Sequence, residues 1–383
     1  MRSPRTTGVT LLLCLAASQA ALLVLTPMLA QVAAELDVST AVAGQLRTVS
    51  GIAAGVAALL AGLAASRVGL RRLLAIGLAF VAAGATVSGI APDFTLLAGA
   101  QLLIGVGIGL SYSAAIAAVA DWSAPSERSR VLALALLGPP LAWVVGMPLA
   151  GVAGAVSWRL TWIVPLALSL VALGALHGQP GSPRAARRAG LGRVLRQPGV
   201  LRWSLGELLA YAGWAGTLVF VGALFVESYG LSVSATGLVL GVGALVYLPG
   251  NLLFQRLVDA HERALLVGLA LSAAGGVAVL GVLRPSVWFS LAVFSALSFI
   301  AGGRTLAGGS RGLSLAPELR LGVTGVRTAA IQLGYFVGAA VGGAALAAGG
   351  YGALGSVFGL LFVAAAVPHL LPAAVGDPPA PLR

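Results

Sequence analysis

Residues 94–120 read FTLLAGAQLLIGVGIGLSYSAAIAAVA, 27 consecutive residues without a charged side chain. An α-helix needs about 20 predominantly apolar residues to cross the hydrocarbon core of a bilayer. A helix on the surface of a soluble protein would carry charged residues along its exposed face, and this stretch carries none. The run therefore predicts a transmembrane helix.

Eleven further apolar runs of similar length occur along the chain. The 383-residue sequence is 59% hydrophobic and 9% charged, whereas a soluble chain is about 25% charged. These values exclude a soluble globular protein. We predict an all-α membrane protein with twelve transmembrane helices in two six-helix bundles. The other eleven predicted spans are 8–30, 40–65, 71–91, 130–154, 159–177, 201–226, 235–257, 263–283, 286–309, 323–348 and 351–372.

The predicted spans fall into two sets separated by a segment rich in Pro, Gly and Arg. We predict a first bundle at 1–177, a basic cytoplasmic linker at 178–200, and a second bundle with a short cytoplasmic tail at 201–383. The two halves share local sequence, since APSER at 124–128 returns as APELR at 316–320. Parallel repeats of this kind place the substrate site of many transporters near the bilayer midplane between the halves.

The loops differ in charge from one side of the membrane to the other. When loops are assigned alternately to the two sides, 18 of the 23 arginines fall on one side. The opposite loops hold Arg159 and Arg284 together with several acidic residues. By the positive-inside rule the arginine-rich side is cytoplasmic. An even number of spans then places both termini in the cytoplasm of a bacterial cell, with the chain in the inner membrane.

Several classes of function find no support in the residues. The sequence contains no paired carboxylates, no Ser-His-acid set and no cluster of metal ligands, and Cys14 is the only cysteine. We therefore expect no enzymatic activity, no cofactor and no metal. The net charge of +12 comes from arginines between apolar runs, so we do not expect nucleic-acid binding. The expected partners are a small-molecule substrate and the lipid bilayer, and we expect a monomer.

The loop after the second span contains a recognisable pattern, GLAASRVGLRR at 62–72. It resembles the signature loop of the major facilitator superfamily, in which a Gly is followed by Asp-Arg, a second Gly and two basic residues. Ser66 stands where the family has Asp, which helps to lock the cytoplasmic gate. The resemblance implies a gating motif at Gly62, Ser66, Arg67, Gly69, Arg71, Arg72, Asp121, Glu127 and Arg128.

The resemblance continues in GMPLAG at 146–151 and in Ser157-Trp158-Arg159 before the sixth span. Within the superfamily these segments are most similar to bacterial drug:proton antiporters and sugar-efflux permeases. Two positions that often handle protons in such exporters are neutral here, because Gln101 precedes the glycines of span 4 and span 1 carries only Ser18, Gln19 and Thr26.

Four charged residues lie well inside predicted spans, away from the span ends, namely Arg47, Glu207, Arg304 and Arg327. An ionised side chain at bilayer depth costs at least about 2.5 kcal/mol, so each is expected to face a partner or a wet cavity unless it reaches an interface. Glu207 is our candidate for proton coupling. Desolvation would favour its protonated form, whereas a nearby arginine would hold it ionised as a structural ion pair.

Polar and aromatic residues at helical spacing extend this set. Glu207, Tyr211 and Trp214 share one face of span 7, which suits a cationic or amphipathic ligand. Ordinary core packing and interhelical hydrogen bonding explain such stripes equally well. The glycines at 105, 107 and 109 are expected to permit close helix packing. The substrate-cavity candidates are Gln19, Arg47, Gln101, Tyr112, Tyr211, Trp214, Tyr247, Asn251, Arg304, Arg327, Gln332 and Tyr335.

Three functions remain open at this point. The first is a secondary transporter that works by alternating access and exports a small organic compound in exchange for protons, driven by the proton gradient. The second is uptake or exchange of a small organic anion held by the intramembrane arginines. The third is a membrane receptor or scaffold that does not transport. A cavity lined by arginine would favour anions, and one lined by an acid with aromatic residues would favour cations.

Overall fold

A computed structural model describes residues 3–181 and 191–370, except for the side chains of residues 62, 63, 66, 191, 256, 259, 260, 317, 320 and 321. Most of the predicted linker and the whole C-terminal tail beyond residue 370 lie outside the described residues. Fifteen α-helices are present in the described parts: α1 Pro4–Leu23, α2 Leu29–Glu35, α3 Thr40–Val68, α4 Leu70–Ile90, α5 Phe94–Trp122, α6 Arg128–Ala135, α7 Gly138–Val144, α8 Gly146–Val156, α9 Ile163–Leu176, α10 Leu191–Leu195, α11 Val200–Tyr229, α12 Val233–Leu245, α13 Tyr247–Val282, α14 Val287–Leu315 and α15 Arg320–Leu370.

The helices are long and apolar enough to cross a membrane. The described chain contains 11 such segments, and the last of them, Gly322–Leu370, has 49 residues. At 1.5 Å per residue it would extend for about 73 Å, more than twice the thickness of the hydrocarbon core. It is broken at Gly349 and Gly350, whose backbone angles are not helical. The break divides it into two spans, and the predicted all-α membrane fold is confirmed.

The described chain forms two compact units. Unit 1 comprises residues 3–181 and 218–241, and unit 2 comprises residues 191–217 and 242–370. These units differ from the predicted sequence halves because 218–241 belongs to unit 1. Small residues permit this packing, since a Cβ at Gly237 would collide with the backbone of Met147 and Gly151, and one at Gly222 would collide with Thr26. The division into two six-helix halves remains a prediction.

Glycines on α5 hold unit 1 together. A Cβ at Gly105 or Gly109 would collide with backbone atoms of α3, and one at Gly107 would collide with the carbonyl oxygen of Gly77 on α4. Such positions let helix backbones approach closely. The prediction that these glycines serve helix packing is confirmed.

Several predicted spans are broken helices, among them the first, the fifth and the eighth, and the eighth is interrupted at Val246 between α12 and α13. The first is interrupted by a 3₁₀ turn at Thr26–Met28, which includes Pro27 and joins α1 to α2. The fifth is made of α6, α7 and α8, with proline inside or next to the breaks. Because proline cannot donate a backbone hydrogen bond, it disrupts the regular helical ladder. The predicted spans were continuous, and their limits are otherwise close to those observed.

Candidate functional site

A cluster of three charged residues, two of them buried and one partly buried, lies in unit 2. Glu207 on α11 is completely buried. One carboxylate oxygen accepts a hydrogen bond from Nη1 of Arg304 on α14 at 2.9 Å. The other accepts one from Nε of Arg327 on α15, also at 2.9 Å. Glu207, the acid that the sequence placed well inside a span, is therefore ion-paired with both Arg304 and Arg327. We call Glu207, Arg304 and Arg327 the charge cluster.

Backbone carbonyl oxygens near the charge cluster accept further hydrogen bonds from its two arginines. Nη2 of Arg304 donates to the carbonyl oxygen of Gly206 at 3.0 Å. Nη2 of Arg327 donates to the carbonyl oxygen of Thr305. Charge-assisted hydrogen bonds of this kind are stronger than neutral ones, and they offset part of the cost of burying the ions. Two guanidinium groups and one carboxylate leave a formal charge of +1 in the cluster.

Two adjacent glycines of α14 make room for the cluster. A Cβ at Gly308 would overlap the carboxylate of Glu207, and one at Gly309 would crowd the guanidinium of Arg327. In addition, the indole nitrogen of Trp203 donates to the carbonyl oxygen of Gly308 at 2.9 Å. The Gly308-Gly309 pair, which follows Arg304 by four and five residues, is thus explained by the volume of the ion pairs.

Arg304 also faces a pocket. The pocket is narrow: of about 330 Å³ of empty space that includes open solvent, about 20 Å³ can hold the centres of water-sized molecules. Its walls are apolar and aromatic except for Arg304, Tyr211 and Thr305, and Glu207 does not line it. Tyr211 and Thr305 hydrogen-bond each other through their hydroxyls at 3.1 Å, and the ring of Trp214 stacks on Phe294. The lining residues are Ala210, Tyr211, Trp214, Ala273, Leu297, Ile300, Ala301, Arg304, Thr305 and Phe362.

The other candidates of unit 2 lie elsewhere. Asn251 on α13 donates its side-chain amide to the carbonyl oxygen of Gly302 on α14 at 3.4 Å, and Tyr247 packs against the same glycine. On α15, Gln332 and Tyr335 are buried. None of these four residues lines the pocket beside Arg304.

In unit 1 the candidate residues connect helices to one another. Arg47 is buried and donates to the carbonyl oxygen of Ala21 at 3.2 Å. That carbonyl lies near the end of α1, where the helix breaks and its last carbonyls lose their intrahelical donors. Gln19 accepts a hydrogen bond from the indole of Trp143 at 3.3 Å, and Gln101 donates to Ser88 at 3.3 Å. Tyr112 is half-buried beside a hydrophobic core.

The predicted gating motif occupies helix ends. Gly69 lies between α3 and α4 with a φ of 81°, a value that L residues rarely adopt. Arg71 donates to the carbonyl oxygen of Gln179 at 3.1 Å, and Arg128 donates to that of Ala120 at 3.0 Å. Arg67, Arg72 and Asp121 are exposed and Glu127 is half-buried, whereas the side chains of Gly62 and Ser66 lie outside the described residues.

Sequence reasoning missed several residues of unit 2. Thr305 and Phe362 line the pocket and Gly308 accommodates Glu207, yet all three look ordinary in an apolar helix. The Gly308-Gly309 pair four residues after an intramembrane arginine was the signal available. Because α11, α14 and α15 are far apart in the sequence, only the folded chain shows that they meet here.

The chain is similar to known bacterial proteins over most of its length. It is 29% identical over 284 residues to the transcription regulatory protein OpdE of Pseudomonas aeruginosa, covering 68% of this chain and 69% of that protein. It is 25% identical over 336 residues to a chloramphenicol efflux pump of Mycobacterium tuberculosis, covering 82% of this chain and 79% of the pump.

The fold is shared with solved transporter structures. The crystal structure of a D-xylose-proton symporter superposes with a TM-score of 0.77 at 18% identity, covering 98% of this chain and 99% of the symporter. The sequence profile of the Major Facilitator Superfamily matches the chain twice, at residues 11–205 and at residues 203–383. Both the resemblance in the loop motifs and the twelve-span architecture agree with this match. The chain is a multi-pass membrane protein and not an enzyme, and it belongs to the Major Facilitator Superfamily.

Proposed function

We propose that this chain is a secondary transporter of a small organic compound that has an anionic group and an apolar or aromatic body. The observation that supports this substrate class is the pocket beside the charge cluster. Arg304 lines the pocket, whereas Glu207 is completely buried and is not among the lining residues. A planar guanidinium binds carboxylates through two parallel hydrogen bonds, and the rings of Tyr211, Trp214 and Phe362 supply apolar contact for the rest of the ligand.

The charge cluster also supports one sign of proton coupling. A ligand anion that draws Arg304 toward the pocket removes one of the two cations that stabilise ionised Glu207. The carboxylate then takes up a proton more readily, because an opposite charge that favours its ionised form has been withdrawn. Ligand and proton therefore bind together rather than in competition. Joint binding moves both in the same direction, and in a bacterial cell the proton gradient would drive uptake.

Proton exchange on ligand binding tests this proposal directly. The purified protein in weakly buffered detergent solution is mixed with an aromatic carboxylate such as salicylate, and the pH is recorded. We expect the wild type to take up protons. Glu207→Gln is expected to bind the ligand without taking up protons, and Arg304→Gln is expected to lose binding. Arg284→Gln removes an arginine that lies outside the pocket and serves as the matched control.

The same experiment can also give results that contradict the proposal. Proton release when the ligand binds would show that ligand and proton compete. Stabilisation of the protein by an aromatic cation, if it persists in the Arg304→Gln variant, would show the same. Flux into proteoliposomes with and without an imposed pH gradient then measures whether the carboxylate is carried uphill. If the wild type does not concentrate any aromatic carboxylate, the uptake proposal fails.

Proton-coupled efflux is the second candidate function, because the chain shares 25% identity over most of its length with a chloramphenicol efflux pump. In that case the substrate would be displaced by a proton, with Glu207 as the proton-carrying group, and the protein would be an antiporter. Cells that express the chain would then accumulate less chloramphenicol than cells that express Arg304→Gln. Equal accumulation would contradict efflux of this compound.

The setting that we propose is the inner membrane of a bacterium, with both termini in the cytoplasm and the protein acting as a monomer. The arginine distribution of the loops supports this orientation, and bacterial relatives support the membrane. Alternating access between two six-helix halves, driven by the proton gradient and without a bound cofactor, is the mechanism that the family resemblance implies.

A further inference from the structure

One buried titratable residue of unit 2 has no role in the site described above. His369 lies next to the end of α15, and 8% of its surface is exposed. Its Nε2 is buried and has no hydrogen-bond partner among the described residues. Buried polar atoms are nearly always paired with protein or with ordered water. This nitrogen is therefore free to bind a water molecule or a proton.

His369 lines a second pocket of unit 2, which we call the histidine pocket. It lies at the ends of α11, α14 and α15, on the side that the loop arginines predict to be cytoplasmic. Of about 210 Å³ of empty space that includes open solvent, about 10 Å³ can hold the centres of water-sized molecules. That is close to the space that one ordered water needs. Arg202, Arg263 and Arg311 on its walls are half-buried, so the pocket reaches the surface of the unit.

His369 also adjoins the charge cluster. A Cβ at Gly206 would lie 2.7 Å from Nε2 of His369, so the imidazole packs against α11 at the residue before Glu207. The carbonyl oxygen of Gly206 in turn accepts a hydrogen bond from Arg304. His369 interacts electrostatically with both Glu207 and Arg304. The imidazole thus contacts the histidine pocket on one side and the surroundings of the buried carboxylate on the other.

Two different pockets therefore lie next to the charge cluster. Arg304 lines the pocket that we propose for the ligand and His369 lines the histidine pocket, whereas Glu207 lines neither. A completely buried carboxylate needs a group that reaches water in order to exchange protons. Arginine keeps its proton near neutral pH, whereas imidazole can gain and lose one there. The other charged groups around His369 that interact with it or line its pocket are all arginines, namely Arg202, Arg263 and Arg311.

We propose that His369 carries protons between Glu207 and water in the histidine pocket, so that the proton and the ligand reach the charge cluster from different pockets. The imidazole accepts a proton from water at Nε2. The imidazolium then gives a proton to a carboxylate oxygen of Glu207, directly or through one water, which leaves neutral imidazole and protonated Glu207. The reverse sequence returns the proton to water. In proton-driven uptake this route serves release into the cytoplasm, and in this respect the inference rests on the proposed function.

Protonation of Glu207 can be measured without a ligand. The purified full-length protein in detergent is exposed to a rapid drop in pH, and the carboxylic acid C=O band is followed by time-resolved infrared difference spectroscopy. Its absence in Glu207→Gln assigns the band. We expect His369→Gln to form the band about a hundredfold more slowly than the wild type. His177→Gln is the matched control, because His177 is an exposed histidine just after α9, and it should keep the wild-type rate.

Rescue by added imidazole separates proton transfer from a structural role. In His369→Ala the ring leaves a space, and free imidazole should accelerate formation of the band in proportion to its concentration. It should not change the rate in His177→Ala. Should His369→Ala fail to fold, His369→Gln decides by its rate, because glutamine keeps most of the side-chain volume and cannot carry the proton.

Three results would overturn the proposal. They are a wild-type rate in His369→Gln, a slow rate in His369→Ala that imidazole does not raise, and a Glu207 band that does not form in the wild type at any pH at which the protein is folded. Because no ligand is present, these results are separate from the test of the proposed function, which measures proton uptake on ligand binding. Slow protonation in His369→Gln without ligand-linked proton uptake in the wild type would support the route and contradict the proposed coupling.

Discussion

The carboxylate of Glu207 occupies the space that a side chain at position 308 would need, so Gly308 and Glu207 are sterically interdependent. The two residues lie on α11 and α14, about a hundred positions apart in the chain. The acid is completely buried, and its oxygens are fixed by Arg304 and Arg327. A substitution of Gly308 should therefore disturb the ion pairs of Glu207 with Arg304 and Arg327.

Gly308→Ala should destabilise unit 2. The added Cβ must displace the carboxylate and weaken at least one ion pair, and partial loss of a buried pair costs about 3 kcal/mol. Unfolding temperature in detergent is the measurement. Gly275→Ala on α13 is the matched control, because nothing lies near its Cβ position. It should leave stability unchanged or raise it by about 0.5–1 kcal/mol through helix propensity. Equal destabilisation by both variants would contradict the steric account.

Glu207→Gln should be more destabilising than a double variant that also removes an arginine. The single change takes the carboxylate away from the buried guanidinium of Arg304 and the partly buried guanidinium of Arg327, at a cost of about 3–5 kcal/mol. Glu207→Gln/Arg327→Gln removes one of the cations and should recover part of the lost stability. Thermal unfolding of the wild type, both single variants and the double variant gives the coupling energy. Additive losses would indicate that the residues do not act as a cluster.

Ser66→Asp should strengthen the cytoplasmic gate if the family resemblance holds. An acid beside Arg67 and near the start of α4 would gain electrostatic contacts of roughly 1 kcal/mol. We expect a larger outward-open population, measured from distances between spin labels at the cytoplasmic ends of spans 4 and 10. Ser66→Asn is the uncharged control. A distance distribution that does not move, or that moves toward the inward-open state, would count against the gate hypothesis.

The orientation of the chain can be tested with two single cysteines in a Cys14→Ala background. Cys14 is buried, and its replacement removes the native thiol. Arg193→Cys and Ser228→Cys are at exposed positions, predicted to lie on the cytoplasmic and the external side, respectively. An impermeant maleimide added to intact cells should label only Ser228→Cys. Labelling of Arg193→Cys under these conditions would reverse the topology.

The fold could be predicted from the sequence, whereas the candidate site could be predicted only in part. Apolar length alone predicts spans, because no other element satisfies its backbone in lipid. The cost of an intramembrane charge likewise singled out Glu207, Arg304 and Arg327. Their pairing could not be predicted, because it depends on which faces of α11, α14 and α15 meet. Arg47 illustrates the difference, since its contact with Ala21 follows from a helix break that hydropathy does not reveal.

The part of α15 before the break at Gly349 and Gly350 is one continuous helix, so a change of angle at these glycines would tilt it as a whole. Gly349 and Gly350 alone separate the two spans of α15, and Gly350 has a φ of 63°. Arg327 lies 22 residues before Gly349 in the sequence, which corresponds to about 33 Å of helix at 1.5 Å per residue. A tilt of about 10° at the break would move the backbone of Arg327 by about 6 Å, which is more than its hydrogen bond to Glu207 can follow. The break at Gly349 and Gly350 and the buried Glu207 are thereby connected through a single helix.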